Sequence, residues 1–511
     1  MAKVLFISTS NESYERLPIT PSLFISLLRN AGNEVRLFDT ALYPEFTEAV
    51  DSTSFAAKRE KAGTVRSFDD SFLKLLVNND NKKSAQVDIE NCINSFSPNL
   101  IMISLNEAMY EQTMQILNYI IPYNIITVLG GVFPTFAPEF LLRHKGVDIV
   151  CVGEGEMAAV ELCNRLDKNI EYNNISNLHV KCKNGDIIKN PSTWLADLNT
   201  LPTPDFSLFE NVRFYSPMAG KLWKMLPFET NRGCAGKCVF CNSPAQKRLY
   251  KNVDKNHFRK KTVEKIYNEL NDLTKKYSPE LIYFCSDTFM TFKECELSEF
   301  VEMYKSIKLP FYMMTRVETV TEENIKKLRD VGLFRMSIGI EHGNEDFRQK
   351  VLKKSVSNEE IIKAIKIIHG NNLPGGLTLL NMVGFPSETR DLAMDTVRFN
   401  HSLAKYADNT AVAIFRPFHG TALRKKSVEM GYLNDSVVAS GHLMDESLLD
   451  MPNFTKDDIT GIARVFTLYT HFDQSRWPEI EKAEKNTDIG NMLFDKLTEE
   501  YKNFVNYKEV L

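Results

Sequence analysis

The chain has 511 residues, of which 43% are hydrophobic and 25% are charged. This length predicts two or three domains with enough apolar material for several cores. The net charge of −4 gives no reason to expect a nucleic-acid or anionic-membrane partner. The sequence contains neither the ~20-residue apolar run of a membrane helix nor a signal sequence at its start, so we expect a cytoplasmic protein without a membrane span. Nine cysteines in a long chain favour reduced thiols over a disulfide framework.

Residues 1–165 alternate short apolar strands with amphipathic helices. The strands are predicted at 4–8, 34–39, 99–104, 125–129 and 148–152. A charged insertion with one helix is predicted over residues 40–85. The alternation predicts an α/β domain with a doubly wound, Rossmann-like parallel sheet covered on both faces. Such sheets bind ligands outside the carboxyl ends of their strands, where this sequence has Ser104, the Gly130-Gly131 turn and the run from Gly153 to Glu156.

Three further regions follow this domain. Residues 166–225 have weak periodicity and several prolines, which predicts a linker with a small hairpin around Asn184-Gly185. Residues 226–430 form a second α/β series that predicts a partial (β/α)6 barrel, and residues 431–511 are predicted to be helical. The barrel strands are predicted at 224–229, 281–285, 311–316, 335–340, 377–383 and 410–415. The intervening helices are predicted at 261–276, 293–307, 321–331, 344–352, 358–370 and 388–405.

Three cysteines follow the first predicted barrel strand. Cys234, Cys238 and Cys241 have the spacing C-x3-C-x2-C within Asn231-Arg-Gly-Cys-Ala-Gly-Lys-Cys-Val-Phe-Cys-Asn242. Iron–sulfur clusters are held by cysteine thiolates, and the small residues in this run allow a loop to fold closely around an inorganic core. One alternative is a structural zinc site, but that takes four ligands, and the nearest other candidate, His257, is not at a standard spacing. The other alternative is that these cysteines are buried as small apolar side chains.

The cysteine run, with Phe240 before the third cysteine, resembles the signature of the radical S-adenosylmethionine (SAM) superfamily over residues 226–430. The resemblance implies that Cys234, Cys238 and Cys241 hold a 4Fe–4S cluster whose fourth iron binds SAM. It implies reductive cleavage of SAM to a 5′-deoxyadenosyl radical, which abstracts hydrogen from an unactivated carbon.

Four positions at later strand ends fit this resemblance, and together with Phe240 they are the predicted SAM contacts. Asp287 is expected near the methionyl amino group and Arg316 near the carboxylate, although an Asx turn and a structural ion pair with Glu318 or Glu341 are equally good explanations. Glu341 is expected to accept from the ribose hydroxyls. At Gly384 the backbone could approach the adenine edge because glycine lacks Cβ.

The first domain carries a second resemblance. Gly130-Gly-Val-Phe-Pro-Thr-Phe-Ala-Pro-Glu139 and Val147-Asp-Ile-Val-Cys-Val-Gly-Glu-Gly-Glu156 resemble the cobalamin-binding domain of one class of radical SAM enzymes. The resemblance implies a corrinoid at the carboxyl ends of the strands. The predicted cobalamin-binding residues are Ser104, Gly130, Gly131, Val132, Phe133, Gly153, Glu154, Gly155 and Glu156.

Two features of the first domain depart from corrinoid proteins. The D-x-H-x-x-G motif that supplies a histidine to cobalt is absent, and the first histidine of the chain is His144, on a predicted helix. Many relatives also have histidine where this chain has Phe133. We therefore expect cobalt without an axial imidazole from this domain.

These resemblances imply a cobalamin-dependent radical SAM enzyme, with C-methylation as the leading reaction. In that reaction one SAM methylates cob(I)alamin, and a second SAM yields the radical that activates the substrate carbon. The alternatives are cyclisation, oxidation or rearrangement without methyl transfer, and, in another class, a non-catalytic iron–sulfur or corrinoid sensor. The expected partners are a small-molecule or peptide substrate, placed between the first domain and the barrel, and a reducing electron donor such as flavodoxin or ferredoxin.

Overall fold

Two seven-stranded sheets follow one another along the chain. The structure is a computed structural model that describes residues 1–10, 16–43, 45–46, 84–253, 256–441 and 445–509, with side chains as far as residue 503. The helix predicted within the 40–85 insertion lies outside these residues.

The first sheet has the strand order β2-β1-β3-β4-β5-β6-β7, with β1 to β5 parallel. Every residue from Val4 to Ile7 in β1 is buried, as expected for a strand covered on both faces. Its strands are β1 Lys3–Ser8, β2 Glu34–Asp39, β3 Leu100–Ser104, β4 Ile126–Gly130, β5 Ile149–Cys151, β6 Leu178–Lys181 and β7 Ile187–Lys189.

Helices cover both faces of this sheet, which confirms the predicted doubly wound fold. They are α1 Ile19–Asn30, α2 Ala85–Phe96, α3 Tyr110–Ile120, α4 Val132–Phe136, α5 Pro138–Leu142 and α6 Glu156–Asp167. Helix α1 packs against α6, and α2 packs against α3. The chain reverses its direction of winding between β1 and β3, and the crevice outside the carboxyl ends of these strands is where such sheets bind ligands.

Residues 166–225 are more than the predicted linker. Strands β6 and β7 extend the first sheet as an antiparallel hairpin, with the predicted turn at Asn184-Gly185. Strand β8, Tyr215–Met218, forms the antiparallel edge of the second sheet. Strands of three or four residues contain too few alternations to be recognised from periodicity.

The second sheet has the order β16-β15-β14-β13-β12-β9-β8, in which β9 and β12 to β16 are parallel. These six strands confirm the partial barrel. Its strands after β8 are β9 Lys221–Phe228, β12 Leu281–Phe284, β13 Phe311–Thr315, β14 Leu333–Glu341, β15 Gly376–Val383 and β16 Asn409–Ile414. A separate two-stranded pair, β10 Asn231–Arg232 and β11 Arg259–Lys260, brackets the cysteine loop.

Most helices on the outside of the second sheet begin after a threonine or serine side-chain cap. The Thr262 hydroxyl accepts from the N–H of Lys265 at the start of α8, and Ser357 and Glu360 form a capping box at the start of α11. A π-helical turn, Phe347–Val351, replaces the α-helix predicted over 344–352. The helices are α7 Ser243–Leu249, α8 Val263–Tyr277, α9 Glu294–Ile307, α10 Glu322–Arg329, α11 Asn358–Gly370, α12 Arg390–Leu403 and α13 Ala422–Glu429.

The C-terminal helices are α14 Lys456–His471, α15 Trp477–Ala483 and α16 Asp488–Glu509. Helix α14 packs across β16 and α12, while residues 431–441 and 445–455 are irregular, so the predicted helical region begins later than residue 431. Among the described helices, none combines the length and the apolar character needed to cross a bilayer.

Candidate active site

The three cysteines of the loop after β10 line one cavity. This cavity has a volume of about 200 Å³ and lies at the carboxyl ends of β12, β13 and β14, and we call it the cluster cavity. Cys238 is buried, and Cys234 and Cys241 lie beside it. The local spacing that the sequence offers therefore brings the three thiols to one place.

Hydrogen-bond donors surround the sulfur atoms. The Gly236 N–H donates to Cys234 Sγ at 3.3 Å, and the Ser243 N–H donates to Cys241 Sγ at 3.4 Å. Arg316 Nη1 lies 4.0 Å from Cys238 Sγ. Burial raises the pKa of the Cys238 thiol above its usual value. Metal binding at this site must therefore remove a proton, and the donors stabilise the resulting thiolates.

Three thiols that line one cavity fit an iron–sulfur cluster. Among the described residues, no three His, Cys, Asp or Glu side chains are grouped so that they could hold one metal ion. A cubane does not need such a group, because each thiolate binds a different iron atom. Gly236 also leaves space beside the thiols, since a Cβ there would lie 3.3 Å from Cys234 Sγ and 2.5 Å from Arg316 Nη1.

Four of the five predicted SAM contacts line the same cavity, namely Phe240, Asp287, Arg316 and Glu341. Burial raises the pKa of the Asp287 carboxyl, and the nearby charge of Glu229 adds to this effect. Arg316 forms an ion pair with Glu318, as the structural alternative anticipated, while its other guanidinium nitrogen faces the thiols. A cation, two carboxyl groups and an aromatic ring thus line the space beside the cysteines.

Glu341 occupies a strained backbone position at the end of β14. Its φ is +69°, and the pairing between β14 and β15 shifts register there. Its carboxylate pairs with buried Lys354, whose Nζ lies 3.0 Å from Oε1 and also donates to the Gly339 carbonyl. A Cβ on Gly339 would overlap this carboxylate. Backbone strain of this kind is found at ligand-binding sites, where surrounding contacts hold it in place.

Lys354 is a cavity residue that the sequence reasoning missed. It lies 13 residues beyond Glu341 in the chain, in an irregular segment after the π-helical turn, and no motif marked it. Its ammonium group places a second positive charge, besides Arg316, in the cluster cavity.

Gly384 does not line the cluster cavity. Its φ is +87°, its N–H donates to Glu388 Oε2 at 2.6 Å, and a Cβ there would lie 2.9 Å from the Ile459 side chain of α14. The turn and the packing of α14 explain a glycine at this position, and the expected approach to adenine stays a prediction.

A second cavity, of about 280 Å³, lies at the carboxyl ends of β1, β3 and β4, and we call it the front cavity. Its walls include apolar side chains of the first domain and residues from β10 and α7 of the barrel. Eight of the nine predicted cobalamin-binding residues line it, namely Ser104, Gly130, Gly131, Val132, Gly153, Glu154, Gly155 and Glu156.

Glycines at the edge of the front cavity let neighbouring groups approach the backbone closely. A Cβ on Gly131, where φ is +114°, would overlap the Leu105 carbonyl oxygen. A Cβ on Gly153, where φ is +93°, would overlap the Tyr250 hydroxyl, and one on Gly155 would lie 3.2 Å from Phe24. An apolar crevice with a glycine rim at this sheet edge fits a bulky planar ligand such as a corrinoid.

Phe133, the ninth predicted residue, does not line this cavity. It is buried in the core, where its ring packs edge-on against Tyr110 and also contacts Phe140 and His419. Helix α4 turns this side chain away from the cavity, while Val132 before it is exposed.

Glu154 and Glu156 line the front cavity, but their carboxylates are bound to arginines of the barrel. Arg232 Nη1 lies 2.5 Å from Glu156 Oε1, and Arg259 Nη1 lies 2.9 Å from Glu154 Oε2. Burial raises the pKa of Glu154, but Arg259 and Arg232 outweigh this and leave it below its usual value. These pairs join the first domain to the barrel, and contacts of Glu154 and Glu156 to cobalamin stay a prediction.

One short segment separates the two cavities. Residues 229–250 supply Arg232 and Tyr250 to the wall of the front cavity and Cys234 and Ser243 to the wall of the cluster cavity. We call residues 229–250 the shared wall. Ligands in the two cavities would therefore be neighbours across a single loop and helix.

Comparisons with known protein families identify the two domains that contain these cavities. Residues 228–399 match the family model of the radical SAM superfamily, and residues 71–163 match that of the B12 binding domain. The chain therefore contains a radical SAM domain and a B12-binding domain. These domains imply a 4Fe–4S cluster, SAM and cobalamin as cofactors.

The chain is similar to several proteins over most of its length. It is 28% identical to the uncharacterized methyltransferase PH0819 of Pyrococcus horikoshii, over 74% of this chain and 79% of that protein. It is 23% identical to the anaerobic magnesium-protoporphyrin IX monomethyl ester cyclase of Rubrivivax gelatinosus, over 71% and 69%. The solved structure of the cobalamin-dependent SAM radical enzyme OxsB with aqua-cobalamin matches with a TM-score of 0.67 at 15% identity, over 99% of this chain and 72% of that one, which shows a shared fold.

Proposed function

We propose that this chain is a cobalamin-dependent radical SAM methyltransferase that methylates an unactivated carbon of its substrate. The shared wall is the observation that carries the proposal, because it places the cysteine-lined cavity next to the corrinoid-type cavity. A methyl donor and a radical generator must both reach one substrate carbon, and adjacent sites allow this.

When bound, SAM and the cluster supply a radical that abstracts hydrogen, and cobalamin supplies the methyl group. The protein's own residues bind and orient these groups. We propose that Arg316 and Lys354 attract the SAM carboxylate, and that Asp287 accepts a hydrogen bond from the SAM amino group. Glu341, held by Lys354, is oriented to accept from a ribose hydroxyl. Phe240, which packs against Phe385, excludes water from one side of the cavity.

SAM with an isotopically labelled methyl group tests the proposal. The anaerobically reconstituted protein, loaded with cluster and cobalamin, should transfer the label to its substrate and also form 5′-deoxyadenosine. Formation of 5′-deoxyadenosine with an unlabelled product would refute methyl transfer and support cyclisation, oxidation or rearrangement. A protein that binds the cluster but never cleaves SAM would behave as a sensor instead.

The substrate, a small molecule or a peptide, is proposed to bind between the first domain and the open end of the barrel. The electron donor is proposed to be an acidic protein such as flavodoxin or ferredoxin, in the cytoplasm. Lys237, Lys247 and Arg248 support this, because they are exposed around the shared wall and form no ion pair with any described residue. Reduction of the cluster by such a donor should slow as salt concentration rises.

A further inference from the structure

His257 lies in the wall of the front cavity, just before β11. Its side chain is buried, with 7% of the residue exposed. The ring is nearly parallel to that of Tyr250, at a centroid distance of 6.1 Å and an interplanar angle of 14°. A Cβ built on Gly233 would lie 3.0 Å from His257 Cδ2, so the imidazole packs closely against the start of the cysteine loop.

Both ring nitrogens of His257 are buried and have no hydrogen-bond partner among the described residues. Among the described residues, the other buried histidine, His342, differs, because its Nε2 pairs with Glu388 and its Nδ1 accepts from the N–H of Asn344. The half-buried His419 uses Nδ1 with Glu107. A neutral imidazole has one donor and one acceptor, and leaving both unmet in a folded protein is unfavourable. An unsatisfied buried group of this kind indicates a partner that arrives with a ligand.

The neighbouring charged groups cannot serve as that partner. Glu154, Glu156 and Glu229 also line the front cavity, but their carboxylates are held by Arg232 and Arg259. Burial, with the charge of Arg259, lowers the pKa of His257 and keeps its ring neutral. The imidazole N–H therefore remains unpaired beside the front cavity.

We propose that His257 is a cofactor-positioning residue that donates a ring N–H hydrogen bond to an oxygen of bound cobalamin. This inference rests on the proposed function, because it requires a corrinoid in the front cavity. Cobalamin carries suitable oxygens on its side-chain amides and on the phosphate of its nucleotide loop. The barrel would thereby hold a cofactor whose main binding surface belongs to the first domain.

Cobalamin affinity and the stability of the cobalamin-free protein test this role together. Hydroxocobalamin is titrated into protein prepared without it and binding is followed by absorbance, for the wild type, His257→Phe, His257→Gln and the control His401→Phe. His401 also has an unpartnered ring nitrogen, but it lies on α12 against Trp477 and does not line the front cavity. We expect His257→Phe to weaken binding about tenfold, or about 1.4 kcal/mol, without lowering the melting temperature of the cobalamin-free protein. His257→Gln, which keeps an N–H donor, and His401→Phe should bind nearly as the wild type does.

Three results would overturn the proposal. Unchanged affinity in His257→Phe would show that the ring makes no contact with the ligand. A loss of affinity that parallels a loss of melting temperature would show a structural role. Nitrogen splitting in the electron paramagnetic resonance spectrum of bound cob(II)alamin that disappears in His257→Phe would show cobalt ligation instead of a hydrogen bond. A wild-type protein that bound no cobalamin would refute the proposed function too. The three results above refute only the role of His257, so the two failures are distinguishable.

Discussion

Substituting Gly153 should be far more damaging than substituting a glycine of the same backbone conformation elsewhere. Gly153 has φ +93° and Gly185 has φ +90°, but a Cβ on Gly185 meets nothing within 4 Å, whereas one on Gly153 overlaps the Tyr250 hydroxyl. The Gly185→Ala variant therefore reports the backbone cost alone, about 1–2 kcal/mol. Gly153→Ala adds the displacement of Tyr250, whose hydroxyl accepts from the Glu154 N–H at 2.6 Å. An N–H left without its acceptor costs about 1–3 kcal/mol more.

Thermal unfolding of the two variants under matched conditions measures this difference. At about 2–4 °C per kcal/mol, Gly153→Ala should melt several degrees below Gly185→Ala. It should also bind cobalamin more weakly, because Tyr250 and Gly153 line the front cavity. Adding Tyr250→Phe, which deletes the overlapping oxygen, should cost nothing further in Gly153→Ala. Equal melting temperatures for the two alanine variants would refute this reasoning.

The remaining predictions concern the cluster cavity and one junction between domains. Cys238→Ala should abolish 4Fe–4S absorbance and SAM cleavage together, and surviving cleavage would show that the thiols do not hold the cluster. Lys354→Met and Glu341→Ala should each weaken SAM binding by tenfold or more in equilibrium dialysis and leave the cluster absorbance intact, since each removes a charged hydrogen bond; unchanged affinity would contradict this. Burial raises the pKa of the Asp205 carboxyl, but hydrogen bonds, the largest of them from Lys276, outweigh burial and hold this pKa below the usual value of about 4. The carboxylate therefore stabilises the folded protein above pH 4, and this stabilisation is lost as pH falls further. Asp205→Asn should therefore unfold more easily at pH 7 and show a weaker loss of stability on acidification, and an unaltered pH profile would count against this.

Much of the site could be predicted because its signals are local or follow from parallel topology. The three cysteines lie within eight residues, so their spacing alone brings them together. Asp287 and Arg316 follow two neighbouring strands and Glu341 ends the next one, and parallel strands end at one edge. Their convergence on the cluster cavity therefore needed no knowledge of side-chain packing.

Some predicted site residues have surroundings that depend on distant partners. Glu154 and Glu156 resemble ligand contacts until Arg232 and Arg259, some 76 and 105 residues away, are seen to hold them. Phe133 follows a glycine turn at the cavity edge, but the short helix there directs its ring into the core. The role of Gly384 depends on α14, which begins more than 70 residues later. No pattern within a window of the sequence contains this information.

The shared wall also has a consequence for the order in which the protein is loaded. If iron–sulfur assembly shifts residues 229–250, it changes the affinity of the front cavity for cobalamin. Reciprocity then requires bound cobalamin to change the equilibrium constant of cluster assembly by the same factor. Oxidative loss of the cluster would in that case release or trap the corrinoid, so damage at one cofactor would be felt at the other.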